Sequence, residues 1–347
     1  GHYAGNWLTR TSQPVANWDT FETWNLFPDS GSYPTLLGEG QITPAPFDGG
    51  NGTTNPYLIS DCRQLQHMRD NLNANYRLST NVDCAETVDW FGGKGFDPIG
   101  SNTGPYYGNF DGNGKTISNL YINRTNDLPG QQDVDESFVG LFGYIQGGSA
   151  HDVSLTNAKV RGYLYVGGIV GLLDDGVVER ANFNVDVVTN DCLSGGHCVW
   201  ARYGQFGGGL VGNSVNGSYI ADSSTGGPVK GSGNTIGGIV GWAESGTLIE
   251  NVDSSSSTDG GTDIGGIAGR LDSSEVINAH ATGDVLVQTD DIKAGDSGGG
   301  LVGASVDSTI SDSSPSGDVN GRYNLGGLVG YADNSEIANS SSNGEVV

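Results

Sequence analysis

Three groups of residues have the types and spacing that chemistry requires. Adjacent carboxylates stand at Asp174-Asp175 and Asp290-Asp291, and Asp133-Val-Asp135-Glu136 adds a third acidic cluster. Paired carboxylates can cleave a glycosidic bond by general acid–base catalysis when Arg or Lys holds the sugar. They can also hold calcium, a hard cation that takes oxygen ligands. Gly295-Asp-Ser-Gly-Gly299 places a serine between glycines, as around a hydrolytic nucleophile, and His280 lies upstream of Ser297. The third group is four cysteines, Cys62, Cys84, Cys192 and Cys198.

Each chemical reading meets a plainer one. The serine word coincides with a repeat that recurs along the chain, and no buried Asp is placed to orient His280, so nucleophilic catalysis is not expected. Bases that could face an acidic sugar are scattered (Arg180, Arg202, Lys230, Arg270, Lys293 and Arg322), and adjacent Asp pairs suit solvated turns. Asp133 and Asp135 begin like a calcium loop but lack the glycine and distal Glu of an EF-hand. The cysteine spacing fits no zinc pattern, and an even count in a polar chain points to two disulfides and an oxidising compartment. Cys192-Leu-Ser-Gly-Gly-His-Cys198 would close a small loop. Asn-x-Ser/Thr acceptors for glycosylation occur at Asn51, Asn123, Asn216 and Asn339.

Composition narrows the function classes. Forty acids against fifteen bases give a net charge of −25, and Asp outnumbers Glu thirty to ten. Such a field repels phosphate backbones, which excludes nucleic acid as a partner. The acid excess suits a high-salt medium that screens self-repulsion; calcium chelation is the alternative, with Asp133, Asp135, Asp174, Asp175, Asp290 and Asp291 as candidate ligands. No run approaches 18 apolar residues, so no membrane span is expected.

The elements that must position these residues follow from self-similarity. Val139-Gly-Leu-Phe-Gly143, Gly167-Gly-Ile-Val-Gly171, Gly208-Gly-Leu-Val-Gly212, Gly237-Gly-Ile-Val-Gly241, Gly265-Gly-Ile-Ala-Gly269, Gly299-Gly-Leu-Val-Gly303 and Gly326-Gly-Leu-Val-Gly330 recur on a base period near 28. Insertions fall near 188–205 and 288–297. A second apolar pair follows each word, such as Leu248-Ile249, and then a polar Asn/Ser/Asp stretch. Three short strands per repeat, parted by Gly and Ser/Asn turns, predict an all-β chain: a right-handed parallel β-helix whose coils bury one common core. Residues 61–73 differ. Asp61 and Gln64 form a capping box, and Leu65, Met68 and Leu72 share a helical face, so a short helix is expected to cover the first coils. The longer insertion carries Trp200, Arg202 and Tyr203, residue types that anchor interfaces, and is a candidate interaction loop.

Phe47-Asp-Gly-Gly-Asn-Gly-Thr-Thr-Asn-Pro-Tyr-Leu-Ile-Ser60, Asn75-Tyr-Arg-Leu78, Asp97-Pro-Ile-Gly100 and Phe110-Asp-Gly-Asn-Gly-Lys-Thr-Ile-Ser-Asn-Leu-Tyr-Ile122 resemble the opening module of GLUG-motif β-helix proteins, and the Gly-Gly-Ile/Leu-Val-Gly words resemble the motif itself. The resemblance covers residues 47–347. It implies a secreted or cell-surface scaffold, some of whose relatives are adhesins, with no catalytic residues and no cofactor. It also implies that Cys62 and Cys84 pair. It divides the chain into a capping module at 47–137 and the repeats at 138–347. Residues 1–46, with Asn17-Trp-Asp-Thr-Phe-Glu-Thr-Trp24, resemble the segment that closes such an array, here placed before it. That order predicts head-to-tail self-association or a longer tandem chain. The expectation is thus a structural or adhesive extracellular protein; the alternatives are a polysaccharide-binding module for surface glycans and a polysaccharide lyase or hydrolase.

Overall fold

The computed structural model describes residues 47–125, 137–184, 198–201, 206–231, 235–288 and 296–347, together with 24–25 and 35–36. Two units separate at Pro46. In the first, Trp24–Asn25 pairs antiparallel with Thr35–Leu36. The rest of residues 1–46, and the array-closing role expected of them, lie outside the described residues.

One coil shows the plan of the second unit. Its strands are Thr235–Gly237, Val240–Glu244, Leu248–Ser254 and Thr258–Gly260. Each lies parallel to and level with the matching strand of the next coil: Ile236 with Ile264, Val240 with Ala268, Ile249 with Val276, Thr258 with Val285. Stacking turns these into four parallel ladders, numbered here one to four in chain order. The chain is a right-handed parallel β-helix, as its repeats predict. It has four strands per coil rather than three. The Gly-Gly word causes the difference, because it is a corner and not one strand: Gly237 closes ladder one and Val240 opens ladder two.

Of the two residues between those strands, Gly238 and Ile239, the second points inward. Leu141, Ile169, Leu210, Ile239, Ile267 and Leu301 form a row that is fully buried. Burying each such side chain is worth about 1.5–3 kcal/mol relative to exposure, and only stacked coils supply the cover. The glycines of the word answer to the same stacking. A Cβ on Gly238 would stand 2.0 Å from the carbonyl oxygen of Gly266, and one on Gly241 would stand 2.5 Å from that of Gly212.

Left-handed backbone falls elsewhere, on the polar stretch. Asp175, Asn216, Ser245, Ser273, Asp307 and Asn334 form one row at positive φ, and Arg180, Asp222, Asn251, Asn278, Asp312 and Asn339 form a second. Asn and Asp tolerate this region best after glycine. A small residue then turns inward, and where it is serine it serves the neighbouring coil. Ser223 Oγ accepts from the Ala181 amide at 3.0 Å, and Ser313 Oγ from that of Ala279 at 3.0 Å. The recurrent Asp/Asn-Ser pairs thereby satisfy corner amides that would otherwise be buried without partners.

The helix α1 (Cys62–His67) and a 3-10 turn to Asp70 cover the first coils. Asp61 Oδ1 accepts from the Gln64 amide at 2.8 Å, while Gln64 Oε1 accepts from the Ser60 amide at 2.6 Å. Leu65 and Met68 are buried. The helical stretch stops at Asp70, short of the expected boundary at residue 73, because Asn71 leaves helical geometry; Leu72 packs on the core from the following turn. Cys62 and Cys84 form a disulfide with Cα atoms 5.2 Å apart.

Candidate functional surfaces

The second left-handed row bends ladder three and leaves a concave polar strip on its outer face. Thr116, Ser154, Asn182, Ser224, Asp253 and His280 stand level with one another on six successive strands. They face outward because their neighbours Ile117, Leu155, Phe183, Thr225, Ser254 and Ala281 face the core. This row lines a groove of about 450 Å³. Ser224 Oγ donates to Asn182 Oδ1 at 2.7 Å, and His280 Nδ1 lies 3.4 Å from Asp253 Oδ1. A parallel outward row carries Thr156, Asn184, Ser255 and Thr282, and Gly226 interrupts it between Asn184 and Ser255.

A second feature is aromatic. Phe138, Tyr165 and Phe206 are level on ladder one, with ring centroids 5.1 and 5.3 Å apart and planes within 22°. Trp242 extends the stack at 5.0 Å from Phe206, and the Arg270 guanidinium lies 6.0 Å from its ring centre. The rings spend their faces on one another, so the stack stiffens a corner and offers a ligand only edges. Beyond it on the same ladder, Thr235 is followed by Asp263 and Ser297. Asp263 is 7% exposed, and burial pushes its pKa up to about 6 despite Arg270 Nη1 at 3.4 Å. Arg270 also holds Asp272 through Nε at 2.9 Å.

The predicted acidic sites separate under this geometry. Asp174 closes a ladder-two strand and accepts from Tyr144 Oη at 2.8 Å, Gln146 Nε2 at 2.9 Å and Asn216 Nδ2 at 2.8 Å. Burial pushes its carboxyl up, but those three donors outweigh it and hold the pKa below the ordinary value. Asp175 is an exposed residue in the left-handed corner. The pair is thus one inter-coil rung and one turn residue, not two carboxylates on a common substrate. Asp133, Asp135, Asp290 and Asp291 lie outside the described residues.

Sequence reading missed a cluster that stacking assembles from distant segments. Asp111, His151 and Asp152 bring ligand atoms within 4.8 Å of one another. His151 Nδ1 is 2.7 Å from Asp152 Oδ2. Arg77 Nε donates to Asp111 at 2.8 Å, and Arg180 grips Asp152 through Nε at 2.7 Å and Nη2 at 3.0 Å. The Arg180 hydrogen bonds, against a burial effect of opposite sign, hold the Asp152 pKa down to about 2. Two guanidiniums already neutralise the two carboxylates, so the cluster is an ion-pair network rather than a cation cage. Only the ladder register could have revealed it.

The remaining predicted sites fall as follows. Trp200 is placed in a strand, not a loop: Cys198–Ala201 belongs to ladder four, with Trp200 level with Arg161 and Lys230. Val199 and Ala201 are buried core residues, and that alternation draws the segment into the stack. Arg202, Tyr203 and Cys192 lie outside the described residues; Cys198 is disulfide-bonded. Asn51 sits in an exposed turn, its Oδ1 accepting from the Thr53 hydroxyl at 3.0 Å. Asn123 Oδ1 accepts from Thr125 Oγ1 at 3.0 Å. Asn216 is exposed but its amide is spent on Asp174, and Ser218 of the same sequon is buried. Asn339 lies in left-handed backbone on the second row.

Comparison with known proteins agrees with this architecture. The family described as the GLUG motif matches residues 260–286 and 321–347. Halomucin of Haloquadratum walsbyi is 34% identical over 141 residues, 38% of this chain and 2% of that protein. A Gly-rich membrane protein of Evansella cellulosilytica is 35% identical over 150 residues, 42% of this chain and 16% of that one. The matched stretches are therefore small parts of both relatives. The crystal structure of a candidate immunoglobulin A1 protease from Bacteroides ovatus superposes with a TM-score of 0.59 at 19% identity, covering 86% of this chain and 87% of that one. At that identity the likeness is one of fold. Motif matches on two coils, inside a stack of level parallel ladders, show a right-handed parallel β-helix that carries the GLUG motif.

Proposed function

We propose that the chain is a non-catalytic scaffold exposed outside the cell. The observation that carries this reading is the use made of its polar side chains: Asp174, Asp152, Asp111 and the corner serines act as rungs between coils. A carboxylate held low in pKa by three donors is a poor proton donor for glycoside cleavage. The names of Halomucin and of the Gly-rich membrane protein support a place at the cell envelope. The large acid excess suits a saline exterior.

End-to-end stacking belongs to the same reading. Ile337 is level with Ile310, yet it is 41% exposed where Ile310 is 1% exposed. Leu325, Leu328 and Val329 also pack only partly on the core. These side chains offer a seat for a further coil, in this chain or in a second copy. Surface biotinylation of the intact source organism, with detection by an antibody to residues 47–347, tests the location; labelling only after lysis would sink the proposal. Release of sugar ends or peptides by the purified protein from polysaccharide and protein panels would overturn the non-catalytic part.

A further inference from the structure

The groove on ladder three has no part in the scaffold reading, and its chemistry selects a ligand class. Its floor is the face of a sheet whose backbone amides and carbonyls are already paired between coils. A peptide strand therefore finds no free backbone to pair with, as strand addition would require. The side chains that line it are hydroxyls, amides, one carboxylate, one imidazole and the ring of Phe183 at the floor, with no Lys or Arg among them. Asp253 and the charge of −25 repel anions. What remains complementary is an extended, uncharged molecule rich in groups that both donate and accept hydrogen bonds. One such side chain stands at each coil, on a spacing of roughly 4.8 Å.

Gly226 sharpens the assignment. Its row otherwise reads Thr156, Asn184, Ser255, Thr282, all with side chains directed to the groove. The nearest atoms to a Cβ at 226 would be Asn184 Oδ1 at 2.9 Å and Ser255 Oγ at 3.1 Å, both ends of side chains that can swing aside. The backbone there does not need glycine, unlike the corner at Gly238. The missing side chain lets the Asn184 amide and the Ser255 hydroxyl close over a buried Gly226 in the middle of the groove.

We propose that this groove binds a linear neutral oligosaccharide, laid along the helix axis with one hydroxylated group held by the Asn184 amide and the Ser255 hydroxyl that meet over Gly226. The test uses the full 347-residue chain and calorimetric titration with hexasaccharides of β-1,4-glucan, β-1,4-mannan and β-1,4-xylan, beside a hexamer of galacturonate and an oligolysine. The expected result is binding of at least one neutral hexasaccharide with Kd below about 1 mM. Gly226→Gln, which pushes a side chain between Asn184 and Ser255 into the middle of the groove, and Asn184→Ala should each weaken it at least tenfold with unchanged melting. Should Gly226→Gln melt early, the double variant Asn184→Ala with Ser255→Ala replaces it, with the same loss expected. No binding of any neutral hexasaccharide, undiminished binding in the variants, or preference for galacturonate or oligolysine overturns the proposal.

Discussion

Asn278 Nδ2 donates to Asn251 Oδ1 at 2.8 Å across a single coil step, and both residues hold left-handed backbone, with φ of 50° and 53°. Asparagine thus meets two demands at this corner: it tolerates the turn, and it links its coil to the next. A β-carbon without a polar end meets neither demand, since the left-handed region costs an ordinary residue about 1–2 kcal/mol.

Asn278→Ala is therefore expected to destabilise the unit by about 1–2 kcal/mol, and Asn278→Gly by less, because glycine removes the backbone strain and loses only the hydrogen bond. Urea unfolding followed by circular dichroism measures both. Equal losses in the two variants would show that the stacked amides, and not the backbone, set the corner's stability.

That corner explains how far the sequence could be read. The period near 28, the inward Ile and Leu rows and the Asp61–Gln64 capping box were all legible, because each is local or strictly periodic. The fourth ladder was hidden because Gly237-Gly238 looks like part of a strand until the neighbouring coil shows what it turns around. The Asp111–His151–Asp152 network and the groove were hidden for a related reason. Apart from the adjacent His151 and Asp152, their members are between about 27 and 42 residues apart and meet only through register, which the two insertions shift. Trp200 was misplaced into a loop because the insertion masks the buried alternation of Val199 and Ala201.

Glycine at Gly238 and at Gly226 answers to different causes, and substitution separates them. Gly238→Ala would drive a Cβ to 2.0 Å from the Gly266 carbonyl oxygen, a rigid backbone atom, so the coils must part. A loss of about 3 kcal/mol or more is expected. Gly226→Ala has flexible side-chain ends as its nearest neighbours and should change stability by less than about 1 kcal/mol. Thermal melting of the two variants side by side checks this, and a Gly238→Ala protein as stable as the parent would refute the backbone-clearance account.

Asp263 gives a pH dependence with a definite sign. Its folded pKa of about 6 lies above the ordinary 3.8, so between those values the folded state binds the proton more tightly than the unfolded one. Stability from this group is full below about 3.8, falls as pH rises through the window, and stays low above 6. The difference of roughly two pH units corresponds to about 3 kcal/mol. Asp263→Asn, a neutral isostere, should accordingly stabilise the protein at pH 8 and do little at pH 3.5, while Arg270 keeps its hold on Asp272. Melting at the two pH values decides it: a variant that loses stability at pH 8 would mean that the Arg270 attraction outweighs the cost of burying the charge.

The net charge makes a prediction of its own. Ion pairs such as Arg180–Asp152 and Arg77–Asp111 weaken in salt, which by itself would lower stability as salt is added. They are outnumbered, because forty acids face fifteen bases and the excess of negative charge repels itself. Between 0.1 and 1 M NaCl the screening length falls from about 10 Å to about 3 Å, which removes repulsion across the coil surface while leaving contact pairs partly intact. The melting temperature is expected to rise over that interval at pH 7, and the rise should shrink at pH 3, where most of the carboxylates are protonated. A melting temperature that falls with salt at pH 7 would mean that the inter-coil ion pairs dominate the surface electrostatics, and a rise of the same size at both pH values would assign it to salting-out of apolar surface instead.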